Sequence, residues 1–196
     1  MTRHRRLSSI WNRVDSGEIH RAPRKWQPWL SDTGSLTQKI EQVIGQKLEV
    51  RVLRDCRQNL NSDESRYFHL QTHRCRIREV LLCSNGIPLV MARSVIPALS
   101  SSGSNQIILR LGSKPLGAVL FSKTRKRSRK KALREITLLN KRSSLWRQCR
   151  QQYPELPSPL WVRRTLYKLK GRPLLVSEIF LPALLKHSTN SVTDVG

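Results

Sequence analysis

Apolar residues recur along this chain in two rhythms, one near four residues and one of two, and the switches between them delimit its elements. Trp26, Pro28, Trp29 and Leu30 form the first apolar cluster. Asp32-Thr33-Gly34-Ser35 reads as a turn into a helix over residues 37–44. Leu36, Ile40, Val43 and Ile44 share one face of it, and Gly45 is its expected C-cap. Alternation and β-branching over 48–53 predict a strand, and the polar stretch 59–64 reads as a turn. Residues 76–83 and 87–97 read as two strands joined by Ser84-Asn85-Gly86, since Asn-Gly between apolar runs signals a hairpin. After a Ser/Gly loop over 100–105, Ile107 to Leu111 leads into Gly112 to Gly117, with a short helix expected to begin near Pro115. Residues 161–169 and 174–181 flank a tight turn at Lys170 to Pro173 and form the last hairpin. Five or six strands joined largely by hairpins imply an antiparallel sheet. The fold class read from this pattern is α+β, a single domain with helices over one face of the sheet.

Composition narrows the picture. The 196 residues suffice for one domain with its own core. The formal net charge is +24, so the surface attracts anions, whether nucleic acid, acidic membrane or anionic metabolite. Twelve lysines and arginines against the single acid Glu135 lie between residues 123 and 150. This stretch reads as a solvated loop, or as an anchor for a weakly bound anionic partner such as membrane or nucleic acid. The expected organisation is a flexible basic tail over 1–25, a domain over 26–185 with a basic insertion at about 122–158, and a polar tail over 186–196. Cys56, Cys75, Cys83 and Cys149 form no CxxC pair and read as reduced thiols of a cytoplasmic protein. No secretory h-region and no apolar run of membrane-spanning length is present. His69 and His73 are four apart, but their surroundings read as extended and no third ligand is evident, so no metal site is expected.

The candidate chemistry sits on the strands. Glu178 is a lone carboxylate in an apolar run, and ionised carboxylates are rarely buried without a partner or a task. Arg78 is its match on an earlier strand. By alternation Arg78 shares a face with Val80 and Leu82, Glu178 with Leu174, Val176 and Phe180, and Arg93 with Leu89, Met91 and Val95. All three charges can point into an apolar interior around a small anionic ligand. The alternative is a structural ion pair between Arg78 and Glu178, or side chains leaning outward. No GxSxG elbow is present.

Several segments, in order, resemble the chorismate–pyruvate lyase family. Arg78-Glu79-Val80-Leu81-Leu82-Cys83-Ser84-Asn85-Gly86 resembles that family's central hairpin, and Arg93-Ser94-Val95-Ile96-Pro97 the end of it. Leu111-Gly112, Pro115-Leu116-Gly117 and Leu120-Phe121 resemble its Pro-Leu-Gly segment. Leu160-Trp161, Arg163-Arg164, Gly171-Arg172-Pro173-Leu174-Leu175 and Glu178-Ile179-Phe180-Leu181-Pro182 resemble its C-terminal hairpin. The match runs from about residue 26 to 183.

The resemblance implies a six-stranded antiparallel sheet with helical flaps over an enclosed site. It also implies conversion of chorismate to 4-hydroxybenzoate and pyruvate, without metal or organic cofactor, at the head of quinone (ubiquinone-type) biosynthesis, by a monomer. It assigns Arg78 to the ring carboxylate, Glu178 to the ring hydroxyl, and main-chain groups of Leu36 and Leu116 to the lining. The chain departs from the family in having Leu36 where Met is common, and in its longer, more basic stretch 123–150 and extended N-terminus. Chorismate carries two carboxylates, so strand parity and charge nominate Arg93 as a second cation, with Arg163 next. Two other classes compete: a non-catalytic effector-binding domain on the same scaffold, and a basic nucleic-acid-binding protein. Residues 1–25 are too short and polar for a helix-turn-helix, and no RRM, KH or zinc signature is present.

Overall fold

Two tight hairpins form the centre of the fold. In the first, β3 (Arg74–Ser84) and β4 (Ile87–Ile96) are joined by Asn85 and Gly86 at φ 48° and 76°. Left-handed φ at both turn positions matches the twist of paired strands, and Asn-Gly tolerates it at little cost. The second joins β6 (Leu160–Leu169) to β7 (Arg172–Phe180) through Lys170 and Gly171, at φ 49° and 80°. β4 and β7 pair antiparallel and set the hairpins side by side. β2 (Glu49–Asn59) lies at one edge, and β5 (Leu133–Leu139) and the two-residue β1 (Asn12–Arg13) at the other. The sheet order is β1-β5-β6-β7-β4-β3-β2, antiparallel throughout. β1 adds a seventh strand to the six expected. The computed structural model describes residues 11–14, 17–68, 74–121 and 132–189.

Helices cover both faces of the sheet, not the one face expected. On the first face α1 (Gln27–Leu30), α2 (Leu36–Ile44) and α6 (Ala183–Thr189) pack Trp29, Leu30, Ile40 and Leu184 against Val80, Leu82, Val90 and Phe180. The same face continues into a second cluster. There α4 (Gly117–Leu120) and the 3-10 turn Gly103–Arg110 bring Leu116, Leu120 and Ile108 onto Tyr167, Leu174 and Val176. On the opposite face α5 (Ser144–Gln152) packs Leu145, Trp146 and Cys149 against Leu81, Met91, Val162 and Ile179. Each such side chain, fully buried, contributes about 1.5–3 kcal/mol.

β5 and α5 both lie inside the basic stretch read as a solvated loop. The arginines and lysines hid them: Leu145, Trp146 and Cys149 stand at i, i+1 and i+4, one helical face, while Arg147 and Arg150 are exposed. Residues 122–131 of that stretch lie outside the described residues, as do His69, His73, residues 1–10 and residues 190–196. Part of the segment assigned to an N-terminal tail belongs to the fold. Asn12 and Arg13 pair with Ile136 and Glu135, and Ala22 is in the core. The predicted turn at 59–64 is the end of β2 followed by α3 (Ser62–Ser65), capped reciprocally by Asn61 and Glu64.

Candidate active site

Strand register decides which charges meet. Arg78 pairs with Ser94 across β3 and β4, Ala92 with Glu178 across β4 and β7, and Glu178 with Arg163 across β7 and β6. Arg78, Glu178 and Arg163 therefore share the face under α2 and α4. Arg78 and Glu178 are two strands apart, about 10 Å across the sheet. Their side chains line one cavity together with Val80, Ala92 and Val176.

Two flaps roof this cavity. The N-terminus of α2 brings Leu36 and Thr37, with Ser35 capping it by accepting from the Gln38 N–H at 3.4 Å. The segment Pro115 to Phe121 brings Leu116, Leu120 and Phe121. The flaps meet at Gly117, where a Cβ would lie 3.3 Å from Ser35 Oγ. Leu36, Arg78, Leu116 and Glu178, all named from sequence, line one cavity. Its volume is about 50 Å³. An apolar cavity of about 150 Å³ accommodates benzene, so the roof is closed and must part for any ring to enter.

Each charge has a counter-charge. Arg163 Nε donates to Glu178 Oε2 at 2.6 Å, and Arg163 Nη1 to the carbonyls of Trp29 at 3.0 Å and Asp32 at 2.6 Å. Arg163 is 1% exposed, and its Nη2 is buried with no hydrogen-bond partner. Burial opposes its charge, but Glu178, with Tyr167 and Asp32 adding to it, holds the guanidinium above its ordinary value. Arg78 Nη1 donates to Asp55 Oδ2 at 3.1 Å. Its Nη2 donates to the carbonyls of Gly112 at 2.7 Å and Lys114 at 3.2 Å, which ties the second flap to β3. Tyr167 also lines the cavity. Burial and the neighbouring Glu178 push its hydroxyl up to about 12, with Arg163 opposing, so it stays a neutral phenol.

Arg93, nominated as a second carboxylate partner, lies on the other face. An unbroken two-residue hairpin would continue the pairing of Ser84 with Ile87 and Cys83 with Pro88, setting Arg78 opposite Arg93. A bulge between Leu82 and Cys83 shifts the register by one, so Arg93 pairs with Glu79 instead. Its guanidinium is held by Glu64 at 2.7 and 3.1 Å and by Glu79 at 2.7 Å. It is fully buried and pins α3 to the sheet. Arg163, the second nominee, lies on the correct face but pairs with Glu178 and is not among the residues lining the cavity.

Sequence reasoning missed Asp55, Tyr167, Ser94 and Phe121. Tyr167 had a usable signal, since it alternates in phase with Arg163 on β6; Ser94 had none, since it stands out of phase with Arg93. Asp55 had none, because it sits in the polar half of an edge strand. The arrangement can grip a carboxylate at Arg78, accept a hydrogen bond at Glu178, and exclude water. Cys75 is buried, and burial followed by the charge of Glu64 pushes its thiol up to about 11, which leaves it neutral and unreactive.

A family model described as Chorismate lyase matches residues 7–190. A probable chorismate pyruvate-lyase of Azoarcus sp. (strain BH72) is 43% identical over 166 residues, covering 84% of this chain and 87% of that protein. The chorismate pyruvate-lyase of Photorhabdus laumondii is 30% identical over 177 residues, covering 88% of each. Among solved structures, a GntR-family transcriptional regulator from Bacillus cereus superposes with a TM-score of 0.50 at 12% identity, covering 69% of this chain and 92% of that one. That likeness concerns the fold alone.

Proposed function

The chain belongs to the chorismate lyase family and is a lyase that removes pyruvate from chorismate; we propose that it releases 4-hydroxybenzoate and that the chemistry takes place under the two flaps. The observation that carries this reading is the joint placement of Arg78 and Glu178, from strands two apart, in the lining of one roofed cavity. Arg78 grips the ring carboxylate, with orientation as well as charge supplied by its forked donors. Glu178 accepts from the ring hydroxyl. Leu36 and Leu116 close the roof. Arg163 is a positioning residue: it fixes Glu178 and has one buried donor to spare.

In the reaction the C3–O bond breaks and the C4 proton leaves. The departing enolpyruvate takes up a proton to become pyruvate, and the ring gains aromaticity. With aromatisation as the driving force, positioning in a dry site carries much of the rate. Glu178 is the one carboxylate that lines the cavity among the described residues, so it is the candidate base for the C4 proton. An enclosed aromatic product leaves slowly, which makes release the slow step. Supply of 4-hydroxybenzoate to quinone synthesis from the cytoplasm belongs to the same reading.

The test is incubation with chorismate, following 4-hydroxybenzoate and pyruvate by chromatography. Equal formation of both, lost in Glu178→Ala, is the expected result. A folded protein that binds 4-hydroxybenzoate and turns nothing over would identify an effector-binding domain instead. Near-normal kcat in Glu178→Gln would remove the general-base role while leaving the binding role intact.

A further inference from the structure

Arg78 is the innermost of a row. β3 carries Arg74, Arg76 and Arg78 at alternate positions, hence on one face. On β2, Asp55 pairs with Arg78 and Arg57 with Arg76, so those two side chains join the same face. Four cations thus stand with one carboxylate on a strip that runs from the cavity to solvent. Among the described residues neither Arg57 nor Arg74 has an ion-pair partner.

Over the outer part of this strip lies a half-open cleft of about 390 Å³, distinct from the roofed cavity. Arg57, Arg74 and Arg76 give it charge, and Ile96, Ala98 and Leu109 give it apolar walls. Small-molecule sites typically measure about 300–1,000 Å³. A cleft of this size, cationic on one side and apolar on the other, suits a small organic acid with an apolar body better than it suits an inorganic anion.

The cleft is wired to the cavity. Asp55 accepts from Arg76 Nε at 2.5 Å and Arg76 Nη2 at 2.8 Å, and from Arg78 at 3.1 Å. Arg76 Nη2 also donates to the Leu109 carbonyl at 3.2 Å, as Arg78 does to those of Gly112 and Lys114. One carboxylate and two arginines therefore clamp the segment 109–114, which leads into the second flap. An anion bound at Arg76 competes with Asp55 and with Leu109, the groups that hold the clamp shut.

The charge balance of the cavity points the same way. Arg78 shares Asp55 with Arg76, and Glu178 is matched by Arg163, so the closed cavity offers a dianion one partly matched arginine. The surplus of positive charge lies one strand position outward.

We propose that this cleft is a second binding site, for a small cyclic or aromatic carboxylate of the substrate and product class, through which such acids pass to and from the cavity. The inference rests on the lyase reading and adds to it a waiting site outside the flap.

The test is titration calorimetry with 4-hydroxybenzoate in low-chloride buffer, where ion pairing at exposed arginines is least screened. Three proteins are compared: wild type, Arg57→Gln/Arg74→Gln, and Ser101→Trp, which fills the cleft without altering its charge. Wild type is expected to show two sites. Both variants are expected to weaken the lower-affinity site by about tenfold or more, through lost charge-assisted bonds in one and lost volume in the other, and to leave the tighter site within about threefold. A single site in wild type, abolished by Arg78→Ala and unmoved by the cleft variants, overturns the second site and leaves the lyase reading standing. Two sites of which neither responds to the cleft variants also overturn it. Displacement of the weaker ligand by acetate as readily as by benzoate overturns the ligand class. Absence of any binding in wild type overturns both readings together.

Discussion

Replacing Arg163 by Met is the sharpest test of how the site is held. The substitution keeps an unbranched apolar stem and removes one charge. Glu178, with 10% of its side chain exposed, then keeps its negative charge with no cation beside it. The carbonyls of Trp29 and Asp32 lose a donor as well. Two unit charges about 4 Å apart interact by about 4 kcal/mol at an effective dielectric near 20. Breaking a buried pair from one side typically costs about 3–5 kcal/mol, because the remaining charge is stranded. The expected loss in urea unfolding is therefore about 3–5 kcal/mol. Adding Glu178→Gln in the same chain should restore about 2 kcal/mol or more, since no stranded charge remains. Kinetics separates support from contact. If Arg163 acts by aiming Glu178, Arg163→Lys should lower kcat more than it raises KM for chorismate, and recover most of the stability lost in Arg163→Met. A loss below about 1 kcal/mol in Arg163→Met, or one that Glu178→Gln fails to relieve, would refute the coupling.

Two further outcomes follow from the clamp and from the opposite face. Arg93→Met should cost about 3–5 kcal/mol in urea unfolding, because Glu64 is stranded and Glu79 keeps only Arg54 at 3.6 Å. It should change KM for chorismate less than about twofold under conditions where the variant is folded; a tenfold rise at intact stability would return Arg93 to the site. Burial alone would raise the Asp55 carboxyl, but the hydrogen bond and charge of Arg76, followed by those of Arg78, hold it below its ordinary 3.8. A depressed carboxylate contributes stability above its unfolded value and loses it as pH falls through the folded one. The gap in thermal midpoint between wild type and Asp55→Asn should therefore be full near neutral pH and close well below 3.8; a gap independent of pH would show that the clamp is not ionic.

The parts of the fold visible in the sequence are those with one wet and one dry side, or with a turn of fixed geometry. Asn85-Gly86 and the Lys170–Gly171 turn located both hairpins, and the one-sided face of α2 located the first flap. The second half of β2 was invisible, because Arg54 to Asn59 form an edge strand open to solvent and carry no alternation. β5 and α5 were invisible for the opposite reason: their apolar faces are short, and the lysines and arginines around them dominate the local composition. The pairing of Arg78 with Glu178 across one span was legible as shared apolar company. The residues that neutralise them were not, since Asp55 and Arg163 are fixed by pairing between strands.

That last failure has a specific cause. Alternation fixes parity within a strand, but a bulge resets it between strands. Without the irregularity between Val52 and Arg54, the pairing of Glu49 with Cys83 would continue unchanged and set Arg54, not Asp55, opposite Arg78. Without the one between Leu82 and Cys83, Arg93 would stand opposite Arg78 from the other side. The unbulged sheet would therefore stack three arginines across β2, β3 and β4 on the cavity face, an arrangement of like charges that repels itself. The two bulges replace one arginine by a carboxylate and send the other through the sheet to Glu64 and Glu79. The Arg78 seen at the cavity, paired with a carboxylate instead of flanked by arginines, is a product of two single-residue shifts that no residue-by-residue reading of the chain contains.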